Sequence, residues 1–373
     1  TGRLVAEYLA RRRGGEPDLK WAMAGRDEGK LAGVRDEIGA APETPLLFAD
    51  AGEPQSLDDM AVCSRLILST VGPYQRYGFA LVEACANSGT DYVDLCGEPA
   101  WMREMIDAHE TTAKGAGARI VFSCGFDSVP FDLGVLYLQN EAKRRFGVPC
   151  AEIKARVRKM KGSLSGGTVA SLKATIAACK DPSVAELLDS PFALTPGFEG
   201  PAQPPGEAPL FDDSLNVWLA PFIMAPINTK NIHRSNMLLG HAYGANFRYS
   251  EMLVAGPGER GEKIAAAIAS GDALAHDDAP KPGEGPSTEE REAGHYDILF
   301  IGEMADGRII RASVAGDADP GYGSTSKMIA ESALCLLSDS SDTPGGVWTP
   351  ASALGEALTA RLERNAGLTF RIE

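Results

Sequence analysis

The chain has no CxxC pair, no GxSxG elbow and no histidine spaced for a metal, and each absence removes a class of chemistry. Its seven cysteines (Cys63, Cys85, Cys96, Cys124, Cys150, Cys179 and Cys335) are scattered, odd in number and mostly set in apolar stretches. They read as reduced thiols of a core, not as a disulfide framework or a thiolate metal site. The five histidines, His109, His233, His241, His276 and His295, show no ligand spacing with cysteine or carboxylate, so no metal is assigned. Without the strained elbow that exposes a nucleophilic serine, a Ser-His-Asp hydrolase has no support.

Positive charge is also scarce. Lys and Arg number 36 against 51 Asp and Glu, a net charge of -15, so the mean surface repels phosphate backbones and anionic lipid. Nucleic acid is therefore not an expected partner. No apolar run approaches the roughly 20 residues a bilayer-spanning helix needs, and no charged-then-apolar secretory segment opens the sequence. Stable membrane insertion is not expected, and the reading is of a soluble, cytoplasmic protein.

What is present is an ordinary globular composition, 44% hydrophobic and 23% charged. At 373 residues the chain suits two domains of roughly 100 to 200 residues each. Residues 2–13 carry apolar positions at helical spacing, with Gly14-Gly15 as a stop. Short buried strands are predicted at 19–24, 45–49, 66–71, 92–95 and 119–123, with helical patterns between them, including 78–87. Strands alternating with helices imply a doubly wound parallel sheet. After residue 148 the period-two pattern of 153–158, with a basic edge, suggests a half-exposed strand and a new, mixed α+β domain. Residues 196–214 and 276–294 read as loops, the second with a capping-box helix start at Ser287. Asp306-Gly307, between apolar runs at 297–304 and 308–314, predicts a hairpin with a tight primed turn. Helices are predicted after Ser324 and at Thr349-Pro350.

In such a sheet a dinucleotide pyrophosphate sits at the N-terminus of the first helix, which places Thr1 and Gly2 at the end of a phosphate-binding loop. Arg26, at the end of the next strand, stands where NADP enzymes often carry an arginine for the 2′-phosphate, with Lys30 one helical turn on. Asp50 follows the strand at 45–49 and is placed near the adenine region. Val71, Gly72, Pro73 and Tyr74 lie at the carboxyl edge, where the nicotinamide and its chemistry belong. Asp94, Glu98 and Asp127 also fall at strand ends and read as loop braces.

Several further segments carry a resemblance: AGR at 24–26, TVGPYQRYG at 70–78, YVDLCGE at 92–98, GFDSVPFDLG at 125–134 and GTVAS at 167–171. APINT at 225–229, GDADPGYGSTSKM at 316–328 and GGVWTPASALG at 345–355 extend it over nearly the whole length. In these the chain resembles the saccharopine dehydrogenase-like oxidoreductases, and among them the trans-acting enoyl reductases. Family members open with a strand and a GATGxTG loop, of which Thr1-Gly2 resembles the tail. The resemblance thus implies a Rossmann-type domain whose first strand and earlier glycines lie ahead of Thr1, and without them no full pyrophosphate cradle forms.

The resemblance further implies a nucleotide-binding domain at 1–148, a mixed α+β substrate and dimerisation domain at 149–320, and C-terminal helices at 321–373 that return to the nucleotide half. The cofactor implied is NADP, the substrate an α,β-unsaturated acyl thioester, small or carried on a carrier protein, and the assembly a homodimer. Tyr74 and Thr168 are the candidate catalytic donors, and Ser165, Gly166, Gly167, Thr168 and Ser171 form a candidate substrate segment at a helix N-terminus. Lys154, Arg156 and Arg158, with Lys159 and Lys161 beyond, are a candidate surface for an acidic carrier. Two other readings stay open: a saccharopine-type reductase acting on a C–N bond, and a Rossmann scaffold without catalysis.

Overall fold

The computed structural model describes residues 1–13, 19–162, 165–271 and 285–373. In the first half, α1 (Gly2–Arg13), β1 (Met23–Gly25), α2 (Glu28–Glu37), β2 (Leu46–Phe48), α3 (Pro54–Val62) and β3 (Leu66–Leu68) alternate. They are followed by α4 (Tyr74–Tyr77), α5 (Phe79–Ser88), β4 (Asp91–Val93), α6 (Pro99–Ala116), β5 (Arg119–Val121) and α7 (Val129–Phe146). All strand pairs here are parallel: β1 with β2, β3 with β4, and β4 with β5. Strict alternation sends Tyr92 and Ile120 into one apolar core with Trp101, Met102 and Met105 of α6. Val93 and Val121 enter a second core with α7. Both faces are covered, which is why these strands read as short unbroken apolar runs. The expected strands are present but shorter, and the Gly14-Gly15 stop lies outside the described residues.

The second half is built on β6 (Glu152–Lys161), α8 (Gly166–Ala178), α9 (Pro182–Asp189), β7 (Leu210–Asp212), β8 (Val217–Pro221), α10 (Ala225–Leu238), β9 (Arg248–Gly256) and α11 (Gly258–Ala269). α12 (Thr288–Glu292), β10 (His295–Glu303) and β11 (Ile309–Gly316) follow. The capping box at Ser287 is formed, while residues 276–284 of the expected loop lie outside the described residues. Strand β7 forms inside the segment read as the first loop.

Two expectations need correction. β6 is not a half-exposed strand: it lies between β10 and β9, and its residues 152–157 are buried or nearly so on both faces. The Asp306-Gly307 turn is not a two-residue primed turn. Gly307 N–H donates to Met304 O at 3.0 Å and Met304 N–H to Arg308 O at 2.9 Å, a three-residue loop whose last member, Gly307, has φ +85°. That is a type I turn closed by a left-handed glycine.

A π-helical turn (Pro320–Ser324), α13 (Thr325–Ser338), β12 (Gly346–Trp348), α14 (Pro350–Ala353), α15 (Gly355–Asn365) and β13 (Leu368–Ile372) end the described chain. β12 pairs in parallel with β5, so the sheet of the first half is ordered β12-β5-β4-β3; β13 pairs with β11 at the edge of the second sheet, β13-β11-β10-β6-β9-β8-β7. The last 28 residues thus contribute a strand to each sheet, a crossing for which the sequence carries no local signal.

A buried carboxylate fastens this return. Glu331 of α13, fully buried, accepts the Tyr8 hydroxyl of α1 at 2.6 Å, and from α15 both Arg361 and the Asn365 amide at 3.1 Å; Arg12 stands 3.3 Å away. Removing the carboxylate leaves two guanidinium groups without their buried counter-charge. Glu331→Ala is expected to cost about 3 kcal/mol, read as a lowered urea midpoint with unchanged secondary structure at low denaturant.

Candidate active site

The carboxyl ends of β3, β4 and β5 open into a cavity of about 230 Å³, closed on its other side by α8 and α10. Ligands in open α/β sheets bind at this edge. The nucleotide-half wall includes Thr1, Thr70, Gly72, Tyr74, Leu95 and Ser123. The facing wall is mainly apolar, with Leu172, Leu188, Ile223, Met224 and Ile227.

The frame of the cavity is hydrogen-bonded throughout. Tyr74 is buried, and its hydroxyl donates to Ser69 O at 3.3 Å and accepts the Leu95 N–H at 3.1 Å. Burial and the nearby Asp94 carboxyl hold this phenol well above its ordinary range. Glu98, 1% exposed, accepts the N–H groups of Tyr74 at 2.8 Å and Gln75 at 3.0 Å, the Gln75 side-chain amide at 2.8 Å, and the Ser171 hydroxyl of α8 at 2.6 Å. Asp94 accepts the N–H groups of Cys96 and Ser123 and the Tyr92 hydroxyl; burial nonetheless pushes its carboxyl up to about 7. Ser123 has φ 62°, rare for a non-glycine residue, and its hydroxyl donates to Cys96 O at 2.6 Å. Asp94 and Glu98 are braces, as their strand-end positions suggested.

Asp127 is different. It lines the cavity ahead of α7 and has no hydrogen bond or ion pair among the described residues. Burial alone raises its carboxyl to about 6. The same cavity is lined from α10 by Lys230, 4% exposed, whose ammonium donates to Pro226 O at 3.0 Å and meets no carboxylate within ion-pair distance. Burial lowers it to about 8, against the opposing pull of Asp189 and Glu207. The neighbours of these two groups are bonded to each other: the Ser128 hydroxyl donates to Asn228 Oδ1 at 3.1 Å and accepts the Asn231 amide at 3.0 Å, and Asn228 donates to Glu251 at 2.8 Å. Lys230 has no place in the sequence reading and Asp127 entered it as a brace; what sets both apart is their lack of partners, a property of the folded chain.

The remaining anticipated residues are placed as follows. Ser165, Gly167, Thr168 and Ser171 line the cavity at and beyond the N-terminus of α8. Ser165 caps that helix, accepting the Thr168 N–H at 3.0 Å, and the two hydroxyls lie 2.9 Å apart. The Gly166 N–H donates to the Tyr322 hydroxyl at 3.2 Å. Gly2, Val71 and Pro73 frame the cavity without lining it; the Gly72–Pro73 peptide is cis. At Gly2 an added Cβ would stand 2.9 Å from Thr70 Oγ1, so the first helix approaches β3 as only a glycine permits. Arg26 and Lys30 have exposed side chains outside the cavity, in no hydrogen bond or ion pair among the described residues. Asp27 does not neutralise Arg26, because its carboxylate caps α2 through the Lys30 N–H at 2.9 Å. Asp50 accepts the Gly52 N–H at 2.8 Å and braces its own turn.

Of the basic strip, Arg156, Arg158 and Lys154 are engaged by carboxylates. Arg156 is buried 3.5 Å from Asp212, Arg158 pairs with Asp297 at 2.8 Å and Glu373 at 2.6 Å, and Lys154 lies 3.6 Å from Glu152. These three are held by carboxylates, while Lys159 and Lys161 at the end of β6 are exposed. Among the described residues no cluster of His, Cys, Asp or Glu can hold a metal, and no helix is long and apolar enough to cross a membrane.

An unpartnered, half-buried carboxylate is a burden on the fold. The Asp127 carboxyl is near 6 in the folded chain and near 3.8 unfolded, so between these values the unfolded chain has released a proton the folded chain retains, and stability falls as pH rises. Asp127→Asn is expected to stabilise the protein by about 2 kcal/mol above pH 6, with the gain vanishing near pH 4. Thermal melts of both proteins across that range measure it, and equal shifts at all pH values would contradict it.

No family model matches the chain. A Mycobacterium tuberculosis protein described as a trans-acting enoyl reductase is 40% identical to it over 395 residues, 97% of this chain and 92% of that protein. The trans-acting enoyl reductases of Mycobacterium ulcerans and Mycobacterium bovis are 37% and 38% identical, each over 97% of this chain and 93% of theirs. Among solved structures, apo saccharopine dehydrogenase (L-Glu forming) from Saccharomyces cerevisiae has a TM-score of 0.57 at 12% identity, covering 99% of this chain and 98% of that one. Homospermidine synthase from Legionella pneumophila, solved with NAD, has a TM-score of 0.54 at 9% identity, covering 99% and 89%. The structural likenesses establish the Rossmann-type fold, and the relatives near 40% identity establish the family. The chain belongs to the trans-acting enoyl reductase family and is therefore an oxidoreductase, on a fold like that of saccharopine dehydrogenase.

Proposed function

We propose that this oxidoreductase reduces the α,β-double bond of an acyl thioester with NADPH. The observation that carries the reading is the cavity itself: placed at the carboxyl edge of the parallel sheet, and lined from α8 to α10 by Leu172, Leu188, Ile223, Met224 and Ile227 beside the hydroxyl of Thr168 and the ammonium of Lys230. An apolar wall suits an acyl chain and excludes water from a reactive centre. The relatives' names point to the same chemistry.

The residues present fit the nucleotide. The close approach of Gly2 to Thr70 leaves the N-terminus of α1 beside the sheet edge, where backbone N–H groups favour an anion. Arg26 and Lys30, exposed and unpaired among the described residues, are free to meet a 2′-phosphate. When bound, the reduced nicotinamide supplies a hydride to the β-carbon of the substrate.

What the chain contributes is orientation and charge stabilisation. Ser165 Oγ accepts the Thr168 N–H, and the two hydroxyls are bonded to each other with either able to donate; with Ser165 as the donor, the Thr168 hydroxyl proton is left for a ligand oxygen. Together with the Gly167 N–H it forms a donor pair for the thioester oxygen as negative charge develops there. Tyr74 contributes position, since its proton is directed to Ser69 O. The acyl group is carried on a pantetheine-type thiol, either free or attached to a carrier protein.

Calorimetric titration with NADPH and NADH, followed by NADPH oxidation with crotonyl-pantetheine, tests this reading. Arg26→Ala is expected to weaken NADPH about tenfold, one lost charge-assisted contact, and to leave NADH unchanged. Thr168→Val should lower kcat about 100-fold, whereas Tyr74→Phe should lower it far less. No oxidation of NADPH by any enoyl thioester would overturn the assignment.

A further inference from the structure

Resting on the enoyl-reductase reading, we infer that Lys230 is the catalytic acid of this site, delivering the proton that the α-carbon takes up after reduction of the double bond. Pro226, Ile227 and Lys230 of α10 line the cavity at helical spacing, with Ile223 and Met224 just ahead of the helix. Lys230 is the charged member of an otherwise apolar stripe. Lysines at buried positions usually find a carboxylate or extend to solvent. This one does neither, being 4% exposed and bonded to the Pro226 carbonyl alone, so N–H bonds of its ammonium are left for a ligand.

The surroundings keep it an acid. Asp189, at the end of α9, and Glu207, ahead of β7, act from a distance to hold the proton, while burial works against them and brings the group to about 8. His233, on the next turn of α10, is pushed down to about 3 by burial and by Lys230 itself, so it stays neutral and does not compete. Asp127, which lines the same cavity, makes no ion pair with Lys230. At neutral pH the ammonium is therefore charged, and its proton is more easily released than that of an exposed lysine.

The step balances. Hydride from the reduced nicotinamide forms the β-carbon C–H bond, and the π pair of the double bond moves onto the α-carbon and thioester oxygen as an enolate. The α-carbon then takes a proton from Lys230 Nζ, whose N–H electron pair remains on nitrogen as the neutral amine. A proton from solvent restores the ammonium. The products are the saturated thioester and the oxidised nucleotide.

The test uses the full-length protein, NADPH and crotonyl-pantetheine, with Lys230→Met and Lys230→Arg. Methionine matches the length of the stem and removes an unpaired buried charge, so this variant is expected to fold. The expected result is a kcat at least 100-fold lower in Lys230→Met, with the thioester KM and calorimetric NADPH affinity within about twofold, as removal of a step made only in the transition state requires. Wild-type kcat should fall above about pH 8, with that limb moved to higher pH in Lys230→Arg. Independently of turnover, reductive methylation of the nucleotide-free protein near pH 8, read by mass spectrometry, should label Lys230 and be blocked by butyryl-pantetheine. Unchanged kcat in an active Lys230→Met enzyme, or a raised KM at unchanged kcat, overturns the acid role alone. A wild-type enzyme inactive on every enoyl thioester overturns the reaction assignment and the acid role with it.

Discussion

The carboxylate of Glu98 holds the two halves of the molecule at a fixed separation. It is almost fully buried and has no cation beside it, so its charge is compensated by donors alone: two backbone N–H groups and a side-chain amide from the Tyr74–Gln75 turn, and one hydroxyl from Ser171. Losing any one of them leaves a buried anion short of a donor. The nucleotide-half turn and helix α8 of the second half are therefore constrained together, and the cavity between them takes its width from this joint. The Glu331 cluster does the same on the far side of the sheet, tying α1 to α13 and α15.

With the frame satisfied in this way, the groups that are not satisfied acquire meaning. Tyr74 and Ser123 line the cavity, Asp94 and Glu98 bond to lining residues, and each of the four is held by fixed partners. Asp127 and Lys230 share the wall and lack such bonds to other side chains. A fold selected for stability alone would pair or replace them, because desolvating an unpaired charge is costly. Their retention in a cavity at the carboxyl edge is the pattern expected where polar groups await a substrate.

Much of the architecture was legible because its signals are local. Short apolar runs bounded by turns located β2 through β5, the Ser287 and Thr349 caps marked helix starts, and the Asp306-Gly307 dipeptide located the hairpin although not its loop length. The misreadings came from tertiary context. Lys154, Arg156 and Arg158 alternate like an exposed strand edge, but β6 is flanked on both sides, and Asp212, Asp297, Glu373 and Glu152 absorb the charges. Tyr74 looked like a free phenol at the right edge, yet the backbone of Ser69 and Leu95 occupies it. No pattern in the sequence distinguishes Lys230 from any other helix lysine, since its cavity-facing position depends on how α10 packs.

That packing also fixes how the two unpaired groups stand to each other. Asp127 is followed by Ser128, and Lys230 lies between Asn228 and Asn231; the Ser128 hydroxyl bonds both asparagines, and Asn228 is in turn held by Glu251, itself bonded to the Tyr249 hydroxyl at 2.6 Å. The residues beside the acid and beside the amine are thus joined through one buried polar network, which sets the span between them before any ligand arrives. A network in which each member depends on the next resists small adjustments. Groups fixed by such a network need little reorganisation when charge develops beside them, and that is the condition under which fixed polar groups stabilise a transition state most.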